Sequence, residues 1–251
     1  MFIKFQGRIL SGLMSVLAAV LMFCESVFAG ADPVGKLVGV VRFAGPYPKP
    51  KKIRLLKDVE ACGSFKYSQK YIVAEENKGL KNAVITIEGL VNENASPTQK
   101  LVVDQRDCIY VPHLQVALLG PKGIDLVVLN NDGIFHNVHG YLDNVGKFNL
   151  VHPPDQEELH IKLTEPGILN LKCDMHPWMS AYVIIMKGKP YYAVTDEKGS
   201  FTIDNVPAGT YTVKMWHEGV TSQTKQVSIK AGEETRIEFL IKPRKKKRKA
   251  R

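Results

Sequence analysis

The segment CDMHPWM places Cys173, His176 and Met179 at three-residue intervals, directly after the apolar run ILNLK. A thiolate, an imidazole and a thioether in one short loop make a soft donor set, suited to copper in both of its common oxidation states. A mononuclear copper site for electron transfer takes two imidazoles and one thiolate in a rough plane, with a methionine as a weaker axial ligand. Three of those four groups lie in the loop, so the second imidazole must come from a distant strand. DGIFHNVHG supplies His136, and Asn137 beside it can hydrogen-bond across to the cysteine loop. Such outer bonds orient metal ligands and tune the metal. With four protein ligands assigned, no position is left open for substrate, which argues against catalysis at the metal. Met175, Pro177 and Trp178 surround His176 in sequence, and an apolar rim over an exposed edge of that imidazole is the expected surface for docking and electron exit.

Two other readings compete. A closed tetrahedral zinc site could use His136, His139, Cys173 and His176, but it leaves Met179 without a role. A strand carrying His136 would also turn His139, three residues on, to the opposite face. Alternatively, each group is an ordinary structural residue, which for four such groups together requires four coincidences. His113, His152, His160 and His217 have no partners at telling spacing and read as structural or solvent-facing. The chain has no Gly-x-Ser-x-Gly elbow, no phosphate-cradling glycine loop and no His-Glu-x-x-His, so no catalytic residue is assigned and an enzyme is not expected.

The elements that must hold these groups read as strands. From Lys36 onward, short apolar or alternating runs are punctuated by Gly, Pro, Asn and Asp: KLVGVVRF, AVITIEGL, LQVALL, DLVVLN, ELHIKL, ILNLKC and AYVIIM. In ELHIKL, Leu159, Ile161 and Leu163 share one face of a half-buried strand. GPYPKPKK is too rich in proline for a central strand, and residues 50–80 are the least readable. Beyond Gly188 a second β unit begins. Glu197-Lys198-Gly199 suits a hairpin, and Pro207-Ala208-Gly209 suits a tight turn in which the glycine supplies a positive φ.

In the HNVH run and the CDMHPWM loop the chain resembles the cupredoxins, the blue copper proteins, over roughly Leu114 to Met186. The resemblance implies a Greek-key β-sandwich with one type 1 copper ion, held by His136, Cys173 and His176 as equatorial ligands and Met179 as the axial one. It also implies that Asn137 braces the cysteine loop and that redox partner proteins exist. The chain departs from the family in a long N-terminal stretch with its own cysteine pair and in its C-terminal β unit. In that unit TDEKGSF and VPAGTYTV resemble the carboxypeptidase regulatory-like, transthyretin-like β-sandwich, which implies a structural or adhesive module. The expected organisation is a signal peptide at 1–29, a cupredoxin-like domain with its extension at 30–187, a smaller β module at 188–241 and a disordered polybasic tail at 242–251.

The formal charge of +9 is unevenly placed. Lys4, Arg8 and Glu25 leave the first segment one positive charge, and KPRKKKRKAR carries eight, so the body between is neutral. A neutral body argues against a nucleic-acid partner, whose phosphates demand clustered Lys and Arg on a structured face. The tail reads either as a solvated extension or as a contact for an anionic membrane or an acidic partner. The apolar run from about Ile9 to Phe23, followed by small residues, is expected to be a secretory signal cleaved near Ala29 or Ala31, which places the protein in the periplasm or outside the cell. Cys24 lies within that signal, leaving Cys62, Cys108 and Cys173. Three cysteines permit three pairings. The economical one joins Cys62 to Cys108 and spares Cys173 for a metal, stabilising the fold by about 4 kcal/mol in the chain-entropy model.

Overall fold

A computed structural model of the chain describes residues 1–2 and 33–242. The expected signal peptide, Cys24, the cleavage positions and the tail beyond Lys242 lie outside the described residues. Among the described residues no helix is long and apolar enough to cross a membrane.

Nearly all the regular structure of the described chain is strand. It runs β1 (Val34–Phe43), β2 (Lys52–Arg54), the single turn of helix α1 (Val59–Cys62), β3 (Phe65–Tyr67) and β4 (Val84–Val91). Then come β5 (Lys100–Arg106), β6 (Ile109–Val111), β7 (Leu114–Leu119), β8 (Ile124–Asn130), β9 (His136–Leu142), β10 (Val145–His152), β11 (Glu158–Leu163), β12 (Gly167–Lys172) and β13 (Ser180–Lys187). The last are β14 (Pro190–Val194), β15 (Ser200–Pro207), β16 (Gly209–Trp216), β17 (Gln223–Ile229) and β18 (Glu234–Ile241).

The fold is all-β and consists of two sandwiches. In the first, a five-stranded sheet of order β10-β9-β12-β13-β7 faces a four-stranded sheet of order β11-β8-β5-β6. Residues from both sheets, among them Val103, Leu126, Val128, Val138, Leu171 and Val183, form one buried cluster. β7 pairs with β13 and β5 with β8 in parallel, while the remaining pairs of these sheets are antiparallel. β11 shows how the pattern chooses its face: Ile161 and Leu163 are buried while His160 and Lys162 are exposed. In the second sandwich, the sheet β15-β1-β18 faces β14-β4-β16-β17 around Leu37, Phe43, Ile85, Val213 and Phe239.

The two sandwiches do not divide at residue 188. β1 and β4, expected to extend the first sandwich, pair with C-terminal strands: β1 lies between β15 and β18, and β4 between β14 and β16. The first sandwich is therefore an insertion between β4 and β14. These two strands pair antiparallel, with Val91 opposite Pro190, so the chain leaves and re-enters the second sandwich at adjacent points. Neighbouring termini are the geometry at which one domain accepts another. Two borrowed strands also explain how a C-terminal stretch of about fifty residues, too short for a core of its own, comes to be buried. Alternation marks a strand but carries no information about its distant partner.

Turn chemistry is mixed. Gly199 has φ +73°, and a Cβ there would lie 2.4 Å from the Val41 carbonyl oxygen, so this hairpin needs glycine on both counts. Gly209, by contrast, opens β16 without a positive φ; the left-handed residue near this corner is Asn205 at φ 55°. Gly209 instead makes room for the Tyr211 hydroxyl, which would lie 2.8 Å from a Cβ and donates to the Pro207 carbonyl.

His217, just after β16, is buried. Its Nδ1 accepts the Gly219 N–H at 3.0 Å, and its ring stacks on Tyr71. Burial pushes its pKa down to about 4, despite the neighbouring Glu218 carboxylate. The imidazole is thus neutral when folded but protonates near 6.5 in the unfolded chain. Its contribution to stability is complete above about pH 6.5 and is lost as pH falls toward 4, by about 3 kcal/mol in all. Urea denaturation at a series of pH values is expected to show His217→Gln losing less stability than the parent over this window.

Candidate metal centre

His136 begins β9, and the turn before it is braced by buried Asn130, whose Nδ2 donates to the Ile134 carbonyl at 2.9 Å and the His152 carbonyl at 3.2 Å. Gly133, at φ 65°, lets this turn reverse. Cys173 follows the last residue of β12, and the Met179 N–H donates to the His176 carbonyl at 2.8 Å, closing the segment 173–179 into a compact loop. β9 and β12 are adjacent and antiparallel, with Lys172 opposite His139. Sheet pairing therefore brings the two halves of the motif together.

Three donor atoms converge. His136 Nδ1 and His176 Nδ1 are 2.9 Å apart, and Cys173 Sγ lies 3.9 Å and 3.6 Å from them. All three residues are buried, and Met179 is buried in the same core cluster as Cys173. Each imidazole turns its other nitrogen to a carboxylate: His136 Nε2 to Asp132 at 2.9 Å and His176 Nε2 to Asp58 at 2.8 Å. A carboxylate only accepts, so both rings carry their proton on Nε2 and present Nδ1 lone pairs to each other. Two lone pairs at this distance beside a sulfur repel unless a cation lies among them. The spacing also matches edges of a coordination polyhedron with bonds of about 2.0 to 2.3 Å, so a soft metal ion fits.

Without a metal, a proton fills that role. Burial opposes a charge on His136, but Asp132 and Cys173 outweigh it and raise its pKa to about 8. Burial pushes the Cys173 thiol up, but hydrogen bonds with His136 and His176 and the Asn137 backbone N–H bring it down to about 6. At neutral pH the sulfur is thus a thiolate, the form that binds metal, and a metal ion bound there would displace a proton.

Asn137 spans the two segments. Its Oδ1 accepts the Asp174 N–H at 2.6 Å and lies 3.3 Å from Cys173 Sγ, while its backbone N–H points at Sγ from 3.4 Å. Its Nδ2 donates to Asn149 and Asp174. Buried Tyr110 adds a second bridge, its hydroxyl lying 2.9 Å from the Asn137 carbonyl and 3.1 Å from that of Lys172. Burial pushes its phenol pKa up.

As expected of a residue three positions along the strand from His136, His139 points away from the three donors, to Asp174 at 2.9 Å and Tyr141 at 3.0 Å, so the four-residue zinc set is not assembled. The rim of Met175, Pro177 and Trp178 does not border an exposed imidazole edge. His176 is fully buried, its outward nitrogen covered by Asp58, and Trp178 Nε1 donates to the Cys108 carbonyl at 2.9 Å. The cause is the segment around α1, which a disulfide between Cys62 and Cys108 fastens over the loop. Asp58 and Asp132 escaped the sequence reading. Asp58 falls in the least readable stretch, and the available signal was Cys62, four residues on, in a chain with one cysteine reserved for a metal. Asp132 lies four residues before His136, in the DGIFHNVHG run. The remaining histidines bond outside the donor cluster: His113 with Ser180 and Glu218, His152 with the Gln156 carbonyl, and His160 with Asp125 and Glu158.

The sequence profile of polysaccharide lyase family 4, domain II, matches residues 167–237. No curated protein sequence matches the chain. Similar solved structures include a Cu(I) form of a methionine-to-alanine mutant of amicyanin, at 24% identity over 41% of this chain and 98% of that one, with a TM-score of 0.29. A purple cupredoxin from Nitrosopumilus maritimus is similar at 16% identity over 35% and 99%, with a TM-score of 0.28. A copper-containing nitrite reductase from Thermus scotoductus is similar at 19% identity over 39% and 24%, with a TM-score of 0.29.

Tyr110→Phe removes the hydroxyl that bridges the Asn137 and Lys172 carbonyls, each one residue from a donor. The metal-free variant is expected to lose about 1 to 3 kcal/mol of stability in urea denaturation.

Proposed function

We propose that this chain is an exported type 1 copper protein that carries single electrons between partner proteins and has no catalytic role of its own. The observation that carries this reading is the convergence of His136 Nδ1, Cys173 Sγ and His176 Nδ1 in a buried, pre-arranged set. Those three residues would hold the copper, with Met179 as the fourth ligand. Copper bound there supplies a one-electron couple. Asn137 and Tyr110 hold the two ligand-bearing segments in one arrangement, burial excludes water, and the donors need little rearrangement between oxidation states. The disulfide between Cys62 and Cys108 and the N-terminal pattern of the sequence support an oxidising, extracytoplasmic location. The neutral body supports protein redox partners over nucleic acid, and the basic tail offers a contact for anionic lipid or an acidic partner.

Burial of His176 under Asp58 favours a second reading, in which copper or zinc is stored or structural. An electron carrier with no exposed ligand edge must pass electrons through the covering residues.

Copper addition to the full chain is expected to produce an intense visible sulfur-to-copper charge-transfer band that is absent in Cys173→Ser. Zinc would leave the protein colourless. Repeated chemical reduction and reoxidation of a carrier should return the full band with no copper released, whereas a storage protein should lose metal on each cycle.

A further inference from the structure

We infer that Asp58 is a positioning residue for the metal-binding imidazole of His176, delivered by a disulfide-anchored segment that belongs to neither sheet of the metal-bearing sandwich. The inference rests on the reading that His176 is a metal ligand and assigns the group that sets its orientation.

Asp58 is 118 residues from His176 in the chain, on the excursion between β1 and β4, which are both strands of the other sandwich. The excursion is fastened at two points and stiffened between them by its own turn. Leu55 is buried in the metal-bearing core. The Asp58 carbonyl accepts the N–H groups of Ala61 and Cys62 at 3.1 Å and 2.8 Å, and Cys62 is bonded to Cys108. The Asp58 backbone is left-handed, at φ 48° and ψ 38°, a conformation that Asp, Asn and Gly adopt more readily than other residues.

Cys108 is the common anchor. Its N–H donates at 2.9 Å to Asp132 Oδ2, the oxygen that also takes His136 Nε2, and its carbonyl accepts Trp178 Nε1 from the metal loop. Through this one residue the carboxylate partners of both imidazoles and the loop between them are tied into one unit. Asp132 is local to His136, so that ring would be braced by its own turn in any event. For His176, the carboxylate bond described here comes from Asp58. An acceptor at Nε2 fixes the proton there and leaves Nδ1 facing Cys173; without it the ring is free to take the other tautomer or to rotate. Outer partners of this kind change metal affinity by about 10- to 100-fold.

The test uses the full chain with Asp58→Gly, which removes the carboxylate while allowing the left-handed backbone, and Asp58→Asn, which keeps an acceptor oxygen. Copper-loaded, reduced protein is mixed with a Cu(I) chelator, bathocuproine disulfonate, and copper release is timed. Asp58→Gly is expected to release copper about 10- to 100-fold faster than the parent, Asp58→Asn to retain most of the parent's hold, and Glu60→Gln on the same helix to change nothing. In the metal-free protein, imidazole 15N shifts should report the Nε2–H tautomer of His176 in the parent and in Asp58→Asn, and its loss in Asp58→Gly. Release from Asp58→Gly at the parent's rate, an unchanged His176 tautomer in that variant, or a loss in Asp58→Asn as large as with glycine would each overturn the inference. A parent chain that shows no charge-transfer band with copper sinks the electron-carrier reading instead, and the 15N measurement still decides the role of Asp58.

Discussion

Two imidazole nitrogens 2.9 Å apart beside a sulfur, all away from water, form an arrangement that a folded chain must hold against itself. Lone pairs and a thiolate repel one another, and burial deprives them of the solvent that would screen them. The surroundings answer this constraint. Carboxylates on the far side of each ring fix the protons outward, two N–H groups and an amide surround the sulfur loop, and a tyrosine hydroxyl ties the flanking strands. A cation among the three donors is what makes the centre favourable.

The architecture follows from that demand for rigidity. His136 at the start of β9 and Cys173 just past the end of β12 inherit their spacing from the backbone hydrogen bonding of these adjacent strands. The loop between Cys173 and Met179 has only to close on a position already set by the sheet. Around this core the second sandwich does more than follow in sequence, because its strands β1 and β4 bracket the excursion that carries Asp58. A segment of the outer unit thus lies against the cysteine loop of the inner one.

The donor set was legible because its chemistry is compressed into a few residues. Cys173 and His176 announce themselves by type and interval, His136 by its neighbour Asn137, and the disulfide by the parity of the cysteines. The expected strands of the first sandwich from Leu114 to Met186 coincide with β7, β8, β11, β12 and β13, since period-two alternation is a local property of a half-buried strand. Other readings went astray where the deciding contact was remote. Gly209 proved to be a steric allowance for Tyr211, and the imidazole expected to show an exposed edge at the apolar rim proved to be buried against Asp58, more than a hundred residues upstream.

Residue types and short intervals by themselves determined the all-β class, the soft donor set and the spare thiol, because each of these depends on neighbours within a few positions. Only the tertiary structure decided which strands share a sheet, that the sandwich with the three convergent donors is an insertion, and that His176 is covered by Asp58. Those outcomes depend on pairing and packing between residues far apart in the chain, whose free energies no local pattern encodes.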